Sequence, residues 1–199
     1  MKKEYITPEI ALERLLQGNR TYIEASRNSG DISPERRREL ADNGQNPYAI
    51  VITCSDSRTP PEHIFNAGLG ELFVIRNAGN LVGAYETGST EYAAEHLNIS
   101  LAVVLGHNNC GAVNSAVESY DAQGALGAVL SEINKSVTKA KETDLSGKEF
   151  ISLIEDLNIV NSVNRLMESP VISRLVKSGK LSVIGAKYNL QSGKVVLLK

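Results

Sequence analysis

The residues best suited to chemistry fall in two short stretches, Cys54-Ser55-Asp56-Ser57-Arg58 and Gly106-His107-Asn108-Asn109-Cys110-Gly111. Together they hold both cysteines of the chain and one of its three histidines. A His and a Cys three residues apart, on a turn entering a helix, can both reach one metal ion, and Cys54 offers a third ligand. Two thiolates and one imidazole suit zinc, and three protein ligands leave one of four tetrahedral positions open, which marks a catalytic site rather than a scaffolding one. A zinc ion so held lowers the pKa of a bound water from about 15.7 toward neutrality. Two thiolates cancel the formal charge of the ion, so this site should acidify water less than a three-histidine site, and neighbouring groups must tune it. Asp56 and Arg58 are the candidates. A carboxylate two residues from a ligand either accepts a hydrogen bond from metal-bound water or takes the open position itself; a bidentate Arg58 would hold it off the metal and ionised.

Each signal has a plainer reading. A buried cysteine at a strand end is often small apolar filling, and Cys54 with Cys110 could form a disulfide switch, which would leave His107 and Asp56 without a role. His63, in Pro61-Glu62-His63-Ile64, and His96, in Glu95-His96-Leu97, read as helix-surface or core residues, with His63 a further candidate for passing protons near the mouth of a site.

The elements that must position these stretches follow from hydrophobic spacing. Tyr48 to Thr53, Leu72 to Ile75 and Leu101 to Leu105 are short, almost wholly apolar and rich in Val and Ile, as expected of parallel strands covered on both faces. Helical stretches fall at Pro61 to Asn66, Thr87 to Leu97 (Tyr92, Ala93, Ala94 and Leu97 inward) and Ala112 to Tyr120. That alternation predicts an α/β fold with a mostly parallel, doubly wound sheet and flanking helices. Leu181 to Tyr188 and Val195 to Leu198 flank a turn at Gln191-Ser192-Gly193 and predict one antiparallel edge strand. Upstream, Thr7 and Pro8 open an amphipathic helix to Ala25, and a short helix runs from Pro34 to Asp42, giving an N-terminal helical arm over 1–44 before an α/β core over 45–199. Asp121 to Ser169 reads as helical, surface-facing and of little functional content. Both chemical stretches sit directly after predicted strands, where parallel sheets place their ligands.

Composition narrows the partners. The 199 residues carry a net charge of −2 from 21 basic and 23 acidic side chains, interspersed, so nothing gathers nucleic acid or anionic lipid. The one basic cluster, Arg36-Arg37-Arg38, reads as a solvated helix face. No apolar run approaches the ~18 residues of a membrane span, and Met1-Lys2-Lys3-Glu4-Tyr5 leads into a polar helix, so the expectation is a soluble, cytoplasmic, single-domain protein acting on a small molecule.

At the two chemical stretches the sequence resembles the β-class carbonic anhydrase family. The resemblance extends through Phe73-Val74-Ile75-Arg76-Asn77-Ala78-Gly79-Asn80, Glu91-Tyr92-Ala93, Ser169-Pro170-Val171-Ile172 and Gly179-Lys180-Leu181, nearly the whole chain. It implies one zinc ion per chain on Cys54, His107 and Cys110, a catalytic dyad of Asp56 and Arg58, and reversible hydration of carbon dioxide to bicarbonate and a proton by a zinc-bound hydroxide. It also implies a substrate pocket lined by Gln45, Phe73, Ala78 and Tyr92, with the Gly111 backbone N–H meeting bound anion, built across a homodimer in which the glutamine comes from the neighbour and the N-terminal helix embraces it. Thr59, Asn108 and Ala78 depart from the residues common at their positions. A tryptophan that helps form an inhibitory bicarbonate site in one subgroup is replaced here by Val51, so that site is not expected. Two rivals stand beside this reading: hydrolysis of carbon disulfide or carbonyl sulfide on the same scaffold, and a non-catalytic zinc- or bicarbonate-binding module.

Overall fold

The computed structural model describes residues 5–25, 27–118 and 122–198. Four parallel strands, β1 (Ala49–Cys54), β2 (Leu72–Asn77), β3 (Leu101–His107) and β4 (Ser182–Tyr188), and a short antiparallel β5 (Val195–Leu197) form one sheet in the order β2-β1-β3-β4-β5. The helices are α1 (Pro8–Glu24), α2 (Pro34–Asn43), α3 (Pro61–Ile64), α4 (Ala84–His96), α5 (Gly111–Val117), α6 (Gly124–Ala140), α7 (Gly147–Met167) and α8 (Pro170–Lys177). The α/β class, the parallel sheet, its antiparallel edge and the N-terminal helix are all as expected.

Every residue of β1 and β3 is buried, because helices cover both faces. Side chains alternate accordingly. Ile50 and Ile52 pack with Val104, Ile159, Leu166 and Ile172 on the face of α4, α7 and α8, whereas Val51, Val103 and Leu105 pack with Leu15, Ile64 and Tyr188 on the face of α1. A third cluster lies beyond the carboxyl ends of the strands, where Val113, Leu130, Ile133, Val137 and Ile154 of α5, α6 and α7 surround Cys54 and Cys110. Fully burying such a Leu, Ile or Val side chain contributes about 1.5–3 kcal/mol, so the end that carries the two cysteines is anchored by its own core.

α1 starts where Thr7 accepts from Ile10 N–H and Pro8 occupies the first turn. Its buried face, Ala11, Leu15 and Asn19, lies against its own chain. Asn19 donates to the carbonyls of Ile64 and Gly193 at 3.1 and 2.8 Å and accepts from Val195 N–H at 3.0 Å, fastening the helix to the terminal hairpin. Covering this face therefore needs no second copy.

Several expectations are corrected. β2 and β3 run on to Asn77 and His107, beyond Ile75 and Leu105, because the ladder continues until the chain turns away at the chemical loops. Tyr92 is not inward: it is 48% exposed, and the buried face of α4 is Thr90, Ala93 and Ala94. Nor is the stretch after Asp121 surface-facing, since Ile133, Ile154, Ile159 and Leu166 are fully buried. Tyr120 and Asp121 lie outside the described residues. In α2, Arg36 and Arg38 pair with Glu39 and Glu35, the solvated face expected of the basic run. No helix among the described residues is long and apolar enough to cross a membrane.

Candidate metal centre

The strand order reverses between β1 and β3: from β1 the chain crosses to β2 on one side, then returns to β3 on the other. Loops leaving β1 and β3 consequently diverge and open a crevice at their carboxyl ends. Cys54 closes β1, His107 closes β3, and Cys110 sits one turn later, immediately before α5. Their ligand atoms all lie within 4.8 Å of one another, and the residues are only 5%, 1% and 1% exposed.

The donor set fits a metal ion. His107 Nδ1 donates to the Asn108 carbonyl at 2.9 Å, since a carbonyl can only accept, which leaves the lone pair on Nε2. That Nε2 is buried without a hydrogen-bond partner. A buried orphan acceptor beside two thiols is costly unless a cation fills the space. Both thiols are free, so no disulfide competes with this arrangement. The hydrogen bond from the Cys110 thiol, followed by the neighbouring His107 ring and the Gly79 and Asp56 N–H groups, pulls the Cys54 thiol down to about 4 against the opposing effect of burial. Its hydrogen bond to Cys54, reinforced by burial, pushes Cys110 up. Burial disfavours a charged His107, but the Cys54 thiolate, the Asn108 carbonyl and Asp56 outweigh it and raise its pKa. Surroundings that favour a proton there favour a metal cation for the same reason.

Asp56 lies beside the cluster, with Oδ2 4.0 Å from His107 Nε2. Arg58 grips it from both sides, with Nε donating to Oδ1 at 2.9 Å and Nη2 to Oδ2 at 2.7 Å, and the Arg58 N–H adds a third bond at 2.9 Å. This grip outweighs burial and holds the carboxyl down at about 2. Arg58 Nη2 also reaches the Asn109 carbonyl at 3.2 Å, tying the β1 loop to the β3 loop. The loop backbone is further fixed by Arg76, whose Nε and Nη2 donate to the carbonyls of Cys54 and Asp56 at 3.0 and 2.8 Å, and by Thr59, whose buried hydroxyl donates to the same two carbonyls at 3.2 and 2.9 Å. Asn108 donates to Gln191 and accepts from Leu190 N–H, bracing the other loop. Sequence reasoning left Arg76 without a role, although its place one residue before the carboxyl end of β2 put it within reach of Cys54.

The remaining expected pocket residues divide. Gly111 opens α5 next to Cys110, and Ala78 follows the end of β2, so both stand at the metal end. Phe73 does not: it pairs with Ile50, whereas Asn77 pairs with Cys54. At the usual strand rise, four residues displace it about 13 Å along the sheet. Tyr92 goes with it, the two rings 6.3 Å apart between centroids, and Tyr92 also stacks on His96. Gln45 is exposed in the segment entering β1, at that same amino end. His63 is exposed on α3. A cavity of about 820 Å³ opens beside the loop after β3, between Asn108, Asn109, Phe150, Ser152, Lys187 and Gln191, and none of Cys54, His107 and Cys110 lines it.

Known proteins carry the same framework. Residues 49–195 match the family model described as carbonic anhydrase. The chain is 35% identical over 194 residues, 96% of its length and 92% of the relative's, to "Carbonic anhydrase 2" of Mycobacterium tuberculosis. Among solved structures, the β-carbonic anhydrase CcaA superposes with a TM-score of 0.75 at 29% identity, over 94% of this chain and 95% of that one. A tetrameric β-carbonic anhydrase of Sordaria macrospora gives a TM-score of 0.75 at 29% identity, over 83% and 87%. The family match, over most of the chain and including Cys54, His107 and Cys110, places it among the lyases of the β-carbonic anhydrase family.

Proposed function

We propose that the protein hydrates carbon dioxide reversibly to bicarbonate and a proton, with one zinc ion per chain on Cys54, His107 and Cys110. The observation that carries this reading is the orphaned His107 Nε2, converging with two thiol sulfurs beside an ionised Asp56. Zinc held there would supply Lewis acidity, lowering the pKa of a water toward neutrality. The protein supplies the rest. Asp56, acceptor-only while Arg58 keeps it ionised, takes a hydrogen bond from the attacking oxygen and so aims its remaining lone pair at the substrate carbon. Arg58, which holds both carboxylate oxygens, would also keep Asp56 from becoming a further ligand. Ala78 and the Gly111 N–H border the same opening, the latter able to meet the bicarbonate anion.

Phe73, Tyr92 and Gln45 stand too far from this chain's own ligands to wall its pocket, so we assign them to the neighbouring site of a homo-oligomer, with dimer as the minimum. Residues 1–44 then serve as an arm on one α/β unit. The requirement for two reduced cysteines suits a reducing compartment, the cytoplasm.

Metal analysis paired with stopped-flow hydration tests the proposal: one zinc per chain and hydration abolished by chelation are expected. Parallel assays with carbonyl sulfide and carbon disulfide discriminate, and a sulfur substrate turned over faster than carbon dioxide would overturn the assignment. Zinc-replete protein without activity would reduce it to a binding module.

A further inference from the structure

The turn that follows β2 contributes a contact to the metal centre that is held in place from outside it. Within Ala78–Asn80, the Gly79 N–H donates to Cys54 Sγ at 3.4 Å, on the same sulfur that accepts from Asp56 N–H. Gly79 and Asn80 both have left-handed backbones, with φ of +77° and +48°. At Gly79 a side chain would be strained by that backbone, and its Cβ would also crowd Ile133 Cδ1 at 3.0 Å. The conformational freedom that admits glycine here leaves the turn without a backbone preference to hold it.

Side chains hold it instead. Asn77 clasps both ends, accepting from Leu81 N–H at 2.8 Å and donating to the Leu81 carbonyl at 2.7 Å. From α7, Asn158 Nδ2 donates to the Gly79 carbonyl at 2.8 Å and Ser162 Oγ to the Asn80 carbonyl at 2.9 Å. Both α7 residues are buried, at 2% and 3% exposure, and stand on the same face as Ile159 and Leu166. A buried Asn costs stability at an apolar interface unless it is hydrogen-bonded, as Asn158 is to the Gly79 carbonyl.

We infer that Asn158 is a positioning residue for the metal centre: by fixing the Gly79 carbonyl it keeps the Gly79 N–H on Cys54 Sγ, and so sets how strongly that thiolate binds the ion. The inference rests on the metal reading above. An N–H donated to a coordinated thiolate draws charge from sulfur and orients its lone pairs, and outer contacts of this kind change metal affinity about 10- to 100-fold. Ser162 steadies the next carbonyl and acts one residue further away, so its effect is smaller.

Protein loaded with the NMR-active isotope of cadmium tests this directly. In the unaltered chain the Gly79 and Asp56 amide protons should both couple to the metal through Cys54 Sγ. Asn158→Leu and Asn158→Ser should lose the Gly79 coupling, keep that of Asp56, and bind zinc about 10- to 100-fold more weakly in chelator competition. Leu166→Ala removes packing from the same helix and serves as the stability control; it should leave the couplings and the zinc affinity unchanged. If zinc affinity simply followed stability across all three variants, or the Asn158 variants kept the Gly79 coupling, the role would be structural and the inference overturned. Should neither Asn158 variant fold, the unaltered chain still decides, because a Gly79 amide without coupling to bound cadmium refutes it. A chain that binds neither zinc nor cadmium would refute the metal reading itself.

Discussion

At the carboxyl end of the sheet, Cys54, His107 and Cys110 are almost wholly buried and each is fixed by a strand end or a helix start. At the amino end, Phe73 is half-buried against the edge of the core and Tyr92 is nearly half exposed, in ring contact with Phe73 and His96. The family resemblance implies one site for both groups, yet within one chain only the first comes together. Ligand geometry tolerates errors of a few tenths of an ångström, so it is built into the most rigid crevice available. An apolar wall needs only area and can be brought in by a second copy.

The largest expected effect breaks the rigid end. Cys110→Ala leaves two ligands, and metal analysis should show zinc falling from one per chain to near none, with hydration reduced to the uncatalysed rate; full zinc retention would refute the ligand set. Next come the residues that act on the ion without holding it. Asp56→Asn should keep zinc but lose about 100-fold or more in turnover, because an amide cannot accept as a charged oxygen does. Arg58→Ala should also keep zinc while freeing Asp56 to compete for the open position. Cobalt substitution separates the two: a four-coordinate spectrum without water for Arg58→Ala, one with water for Asp56→Asn, and identical spectra would eliminate the gate.

A smaller effect sharpens the comparison itself. Phe73→Ala should lower kcat/KM about 10-fold or more with zinc unchanged, as expected when an aromatic wall is removed. Mixing it with Cys110→Ala chains then asks whose Phe73 serves which metal. If the wall comes from the neighbour, each hybrid dimer regains one intact site, and activity exceeds that of either parent; an additive mixture would return Phe73 to its own chain or remove it from the pocket. The smallest effect is on stability. The folded Asp56 pKa, about 2, lies below its ordinary 3.8, so the ion pair stabilises fully above about pH 4 and its contribution is lost as pH falls toward 2. Acid titration of unfolding should show the Asp56→Asn deficit, no more than about 2 kcal/mol, vanish across that window.

The convergence of Cys54, His107 and Cys110 was legible because rare residue types stand directly after strands of unmistakable apolar character. Asp56 and Arg58 were legible for the same reason, lying within four residues of Cys54. What could not be read was tertiary. Tyr92 sits beside two buried alanines in the chain, and periodicity alone could not tell which side of α4 faced the sheet, although Thr90, Ala93 and Ala94 share the correct face. Asn158 and Ser162 were missed because polar residues on a long helix ordinarily mark a wet surface; the overlooked signal was their spacing on one face with Ile159 and Leu166. The displacement of Phe73 from the metal depends on strand register, which no local pattern specifies.

The placement of Cys54 and His107 on strands that pair directly, though distant in sequence, has a consequence for how the protein matures. In the unfolded chain only His107 and Cys110 are close enough to share an ion, a two-point grip that gives it little preference for any conformation. Zinc should therefore not seed folding; the parallel pairing of β1 with β3, a slow non-local step, must come first. An ion seated as proposed would tie both strands together from a position formed late, and so act mainly by slowing unfolding rather than by speeding refolding. Occupancy would then serve as a seal on a finished sheet, and a cell short of zinc would accumulate chains that fold at the ordinary rate but open more often.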